Sequence, residues 1–143
     1  MSDDHLQVHF NPVHRLATCR PTGVLGAKHA ADLLNFLIPL ERSNPEPFNR
    51  LLDLTLVNDI ELSNTVIPLY AMARQHSTEH LSSFRTAIIA PEGHHSAEAA
   101  AQLYATLMKG SKIQVRVFDN ASLAAAWLGV PEKTLHSEVV HSE

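Results

Sequence analysis

Apolar residues recur along this chain with two different periods. Near the N-terminus Leu6, Val8 and Phe10 alternate with Gln7 and His9, which is the period-two pattern of a strand. Asn11-Pro12 signals a turn, and Val13 to Arg20 reads as a second strand able to pair with the first as a hairpin. Pro21-Thr22-Gly23 is expected to end it. From Gly26 to about Leu40 the period becomes helical, with Ala30, Leu33, Leu34, Leu37 and Ile38 on one side, and Pro39 with the loop Ser43 to Pro47 closes the segment. Leu51, Leu52, Leu54, Leu56 and Val57 form a nearly unbroken apolar run, which suits a strand covered on both faces of a parallel sheet. A second helix runs to Gln75. With Thr65 as its N-cap, Pro68 falls at the third helical position, where no intrahelical N–H bond is lost.

The second half repeats the alternation. Arg85 to Ala90 is an apolar strand ended by Pro91, and Ser96 to Lys109 is an Ala-rich helix with Gly110 suited to its C-terminal stop. Ile113, Val115 and Val117 alternate with polar neighbours as a last strand. Asp119 or Asn120 caps a short helix, Ala121 to Leu128, stopped by Gly129 and Pro131. The order β β α β α β α β α predicts an α/β fold: a mixed, mostly parallel sheet of about five strands with four helices. The five are Leu6–Phe10, Val13–Arg20, Arg50–Thr55, Arg85–Ala90 and Ile113–Phe118. Residues 1–130 form the expected single domain, and residues 131–143 a polar, flexible C-terminal tail.

Composition narrows the function classes. At 143 residues the chain is long enough for one self-sufficient core, and 45% hydrophobic residues exclude general disorder. The net charge is −4 and no basic run exceeds two residues, which excludes a phosphate-tracking nucleic-acid surface. Full protonation of the ten His would turn that charge positive. The single cysteine, Cys19, excludes an intrachain disulfide and reads as a small buried hydrophobe. The N-terminal MSDDHLQVHF carries neither a basic nor an apolar targeting region, and no apolar run approaches the ~20 residues that span a bilayer, so a cytoplasmic location is expected.

The segment LLDLTLVNDIELSNTVIPLYAMA, residues 51–73, resembles the central signature of STAS domains: an apolar strand with Asp-Leu-Ser/Thr, a short polar loop, a Ser, then a helix. The later half, RTAIIAPEG, IQVRVFDN and ASLAAAWLG, resembles the SpoIIAA-like subgroup, whose fold is related to CRAL-TRIO lipid-transfer domains. The resemblance spans about residues 5–130. It implies a SpoIIAA-like fold and a regulatory or ligand-binding role without catalysis. It also places Ser63 on the Ser that is phosphorylated in bacterial anti-sigma-factor antagonists. Leu62 and Asn64 stand where that Asp-Ser-Ser-Gly motif has Ser and Gly, as in the broader subgroup.

Candidate chemistry gathers at the expected carboxyl ends of the strands, where open α/β sheets bind ligands. Three loops reach that edge: 58–64 with Asp59 and Ser63, 91–96 with His94, His95 and Ser96, and 119–120 with Asp119. Two helix N-termini and two His there favour an anionic group, or a phosphorylated Ser63 itself. The bland alternatives are a capping Ser and a solvated loop. His76, Glu79 and His80 match a bare His-x-x-Glu-His zinc pattern, yet they fall at a helix end without a visible third ligand, so no metal is expected. Asp53 has no partner carboxylate or His and is expected to accept backbone N–H bonds.

The expectation is therefore a non-enzymatic module, without cofactor, that recognises a protein partner or a small apolar or anionic ligand. An apolar ligand would need a cavity between the Leu-rich first helix and the sheet. Lipid or peripheral membrane-surface binding is the alternative, and a small hydrolase or metal protein using His94 and His95 comes after it. The first helix, apolar around much of its circumference, suggests a homodimer.

Overall fold

The computed structural model describes residues 5–62 and 65–136. The chain runs through β1 (His5–Asn11), β2 (Leu16–Leu25), α1 (Ala27–Ser43), β3 (Asn49–Asp53), β4 (Val57–Ile60), α2 (Val66–Ser77), β5 (Phe84–Ile89), α3 (His95–Leu107), β6 (Ile113–Phe118) and α4 (Ala121–Leu128). A 3₁₀ turn, Glu132–Leu135, follows. The α/β architecture is the expected one: β1 pairs antiparallel with β2, and every other adjacency is parallel, in the order β1-β2-β3-β5-β6. Parallel neighbours require crossovers, and α1, α2 and α3 supply them.

Three expectations are corrected. The described residues hold six strands rather than five, because β4, read from sequence as loop, pairs in parallel with the end of β2. β2 does not stop at Arg20 but runs through Pro21 to Leu25. It pairs with β3 through Leu16–Cys19 and with β4 from Gly23 onward, so Pro21 falls where neither parallel partner is engaged and its missing N–H loses no ladder bond on that side. Residues 132–135, expected to belong to a flexible tail, form the 3₁₀ turn instead: Leu135 is wholly buried and packs with Leu16, Leu51 and Leu128, while residues 137–143 lie outside the described ones.

The period of two sorts each strand between two covered faces. Cys19, Leu52 and Ile88 point toward α1, α2 and α3. Leu16, Leu51, Ala87 and Ile89 point the other way, onto Ala124, Ala125 and Leu128 of α4. Arg20 and Asp53 also lie on the α4 face: Arg20 Nε donates to Asp53 Oδ2 at 2.9 Å, and its Nη2 donates to the Leu135 carbonyl at 2.8 Å. Asp53 accepts one backbone N–H, from Thr55 at 2.9 Å, as expected, and the Arg20 guanidinium besides. α1 does not present a free apolar circumference. Leu33 and Leu37 are core, Phe36 and Leu40 pack beside them, and none of the exposed large apolar side chains among the described residues belongs to this helix.

Candidate functional site

The described strand-end residues each make local contacts within their own loop or helix end. Asp59 is exposed on β4 and its carboxylate accepts the N–H of Ile60 at 2.8 Å. His94, rather than Ser96, is the N-cap of α3: its Nδ1 accepts the Ala97 N–H at 3.3 Å and lies 3.3 Å from the Ser96 hydroxyl. The ring thereby takes one of the helix-end donors that an anion would need. The His95 side chain is solvent-exposed and lies 3.5 Å from Glu98. Asp119 is exposed and accepts from the Asn120 side chain, which caps α4 through the Leu123 N–H. Among the described residues no hydrogen bond or ion pair joins these three loops to one another. Ser63 lies outside the described residues. His76 and Glu79 form an exposed pair at 3.7 Å, and no cluster of three metal-ligating side chains occurs among the described residues.

The structure places its polar interior elsewhere, on the three-helix face. α1 buries His29, Leu33, Leu37 and Glu41, one residue per turn, so a carboxylate sits at the end of an apolar stripe. α2 buries Ile67, Ala71 and Arg74 in the same way. A crossover helix runs antiparallel to the strands it joins, so the last turns of α1 and α2 come over the start of β3, where Arg50 points up. Glu41 accepts from Arg50 Nη2 at 2.5 Å and from Arg74 through both nitrogens, at 2.6 and 3.2 Å. All three side chains are within 4% of complete burial. The Arg50 guanidinium lies between the rings of Phe48 and Phe84, 3.8 and 3.5 Å from their centres, and donates to the Phe48 carbonyl.

Two cations share one anion here. Arg74 holds Glu41 with a fork, whereas Arg50 holds it with one nitrogen, and Arg50 Nε has no hydrogen-bond partner. Burial accordingly pushes Arg50 down to about 10, and the pull of Glu41 offsets only part of that. Burial would also lower Arg74, but its hydrogen bond with Glu41 holds it above its ordinary value. The neighbouring groups supply no further negative charge: burial raises the Cys19 thiol and the Tyr104 phenol to about 12, and raises Tyr70 as well.

A cavity of about 90 Å³ leads away from this cluster between the sheet and α1, α2 and α3. Its walls run from Arg50 and Arg74 past Cys19, Leu33 and Leu52 to Leu54 and Leu62. Arg50 to Leu54 spans about 13 Å of strand. Ala30, Ala100 and Ala101 contribute only methyl groups to the cavity wall. At the ~30 Å³ that a water takes in the liquid, the cavity has room for about three water-sized groups. A hollow between the first helix and the sheet is what an apolar ligand would need, and none of Asp53, Asp59, His94, His95, Ser96 or Asp119 lines it. Sequence reasoning missed Glu41, Arg50, Arg74, Tyr70 and Tyr104. The signal was there for two of them: Glu41 and Arg74 continue the i, i+4 and i, i+7 stripes of their helices, and a charged residue on an apolar stripe marks a buried partner.

The same fold is known in a solved structure. An uncharacterized DUF3478-family protein from Shewanella loihica PV-4, described as having a SpoIIAA-like fold, superposes with a TM-score of 0.57 over 90% of this chain and 98% of that one, at 16% identity. The chain thus has a SpoIIAA-like, STAS-type fold. No protein-family model and no curated protein matches the sequence. No helix among the described residues is long and apolar enough to cross a membrane.

Proposed function

We propose that this chain is a non-enzymatic SpoIIAA-like binding module whose interior cavity takes a small, largely apolar ligand. The single observation that carries the reading is the cavity itself. An unfilled hollow of about 90 Å³ among apolar walls forgoes the packing contacts that larger side chains there would make. Leucine or isoleucine at the three alanines would recover those, so the empty volume marks a place kept for something else. Its walls match a ligand site in kind: mainly leucines, with Ile88 and two tyrosine rings 5.6 Å apart, converging on a few polar groups at one end. A catalytic reading has no comparable support: His94, His95 and Ser96 do not line the cavity, and burial keeps the Cys19 thiol on its wall protonated.

Titration with a series of neutral 1-alkanols tests this. Each added CH₂ that enters the cavity contributes up to about 0.8 kcal/mol, or about fourfold in affinity, until the space is full. Affinity is therefore expected to climb with chain length and then level off once the space is full. Ala101→Leu, which places four carbons' worth of side chain in the cavity wall, is expected to raise the melting temperature and to weaken hexanol binding at least tenfold. No binding of any alkanol to the wild-type chain, or equal binding by the filled variant, would overturn the reading.

A further inference from the structure

The cavity has a charged end, and its charge balance selects the ligand. Arg50 and Arg74 contribute two positive charges and Glu41 one negative charge, all three nearly excluded from water. The other titratable groups on the wall, Cys19, Tyr70 and Tyr104, are neutral in the folded chain. On the far side of Arg50 a polar recess is bordered by Glu41, Glu46, His80 and Ser82. Glu46 is mostly solvent-exposed and faces Arg15 at 3.4 Å, so its charge is screened and already engaged. Asp53 lies on the opposite face of the sheet, bound to Arg20. Among the described residues, one buried positive charge is left without a counter-charge, and Arg50 Nε is a buried donor left without an acceptor. Each is costly by itself, and one bound anion at the same residue would relieve both.

Resting on the reading of the cavity as a ligand site, we infer that the ligand is a small monocarboxylate, its apolar body in the hollow and its carboxylate received by Arg50. The surplus of one charge fits a monoanion, whereas a phosphate carries −1.5 to −2 and would leave the site overcharged in the other direction. The planar guanidinium edge matches a carboxylate in geometry. Glu41 keeps the second arginine occupied, so that Arg50 and not Arg74 is the group available to a newcomer.

A head-group series on one hexyl chain tests the inference. Hexanoate, 1-hexanol and hexylamine are titrated into the wild-type chain at pH 7 by calorimetry, with thermal shift as a second readout. Hexanoate is expected to bind on the order of tenfold or more tighter than hexanol, because a charge-assisted hydrogen bond in a dry site exceeds a neutral one. Hexylamine is expected to bind weakest. In Arg50→Gln, which leaves the Glu41–Arg74 pair balanced, hexanoate is expected to lose that advantage while hexanol keeps its affinity. Hexanol binding as well as hexanoate to the wild-type chain would overturn the carboxylate inference and leave the apolar cavity standing. Failure of all three to bind would overturn both. If Arg50→Gln does not fold, the wild-type series alone decides.

Discussion

Glu41 is pulled in two directions. Burial alone would raise its carboxyl, but the hydrogen bond and charge of Arg74, followed by those of Arg50, hold it below its ordinary value of 4.5. A carboxyl lowered in the folded state binds its proton more weakly there than in the unfolded chain. The stability it contributes is therefore fully present above about pH 4.5 and is lost as pH falls below that value through the folded pKa. Removing the charge leaves two buried guanidiniums without a counter-ion, which costs about 3–5 kcal/mol. Glu41→Gln is accordingly expected to be much less stable at pH 7 and to lose stability less steeply between pH 4.5 and pH 3. Urea unfolding at pH 7, 5, 4 and 3 measures both parts. A variant as stable as wild type at pH 7, or one with the same acid slope, would show that Glu41 is not what joins the two arginines.

At the scale of elements, each helix is specified by its ends as much as by its stripe. α4 is eight residues long, too short to persist alone, and both ends are closed: Asn120 Oδ1 accepts the Leu123 N–H at 2.9 Å, and Gly129 turns the chain away at φ 77°. A Cβ added at Gly129 would meet nothing within 4 Å, so the only penalty of a substitution there is the left-handed backbone. Gly129→Ala is expected to lower stability by about 1 kcal/mol, and Asn120→Ala by a similar ~1 kcal/mol. Because the two sites sit at opposite ends of one helix, the double variant is expected to show near-additive loss in chemical denaturation. Loss of less than 0.3 kcal/mol at both, roughly the surface background, would mean that packing on the sheet fixes α4 without its caps. α1 shows a different device. Its N3 residue, His29, is buried, with Nδ1 3.4 Å from the Gly26 N–H and Nε2 3.1 Å from the Thr22 carbonyl, tying the start of the helix to the end of β2.

Across the whole molecule the sheet separates two differently built halves. One face carries three helices, a cavity and a surplus buried charge; the other is closed by one short helix and the 3₁₀ turn. Leu135 links that turn to the rest, with its side chain in the α4 core and its carbonyl on Arg20. Leu135→Ala is expected to cost about 2–5 kcal/mol, as for a fully buried leucine. The same variant is expected to leave alkanol and hexanoate binding unchanged once it is folded, since no residue of the turn lines the cavity. Denaturant unfolding and calorimetry on one preparation check the two halves of that prediction. A stability change below about 0.5 kcal/mol, the range of a surface substitution, would contradict the packing described here.

What the chain's own pattern determined was the alternation of elements. Period-two runs at Leu6–Phe10 and Ile113–Phe118, apolar runs at Arg50–Thr55 and Arg85–Ala90, and four helical stretches each depend on neighbours within a few residues, and such local information is present in the sequence. The mostly parallel sheet followed from that order, because strands separated by helices have few other ways to pair. The tertiary structure decided the rest. Whether β2 survives Pro21 depends on which strand lies beside it at that point. β4 is a strand because the end of β2 offers it an edge, and Leu135 is core because Arg20 and α4 hold it there. The site depended on tertiary structure most of all. Glu41, Arg50 and Arg74 are 9 and 33 positions from one another along the chain, and only the crossovers of α1 and α2 bring them together at the start of β3. The cavity is lined by small side chains from two helices, Ala30 on one and Ala100 and Ala101 on the other, and such a gap in volume has no local pattern to read.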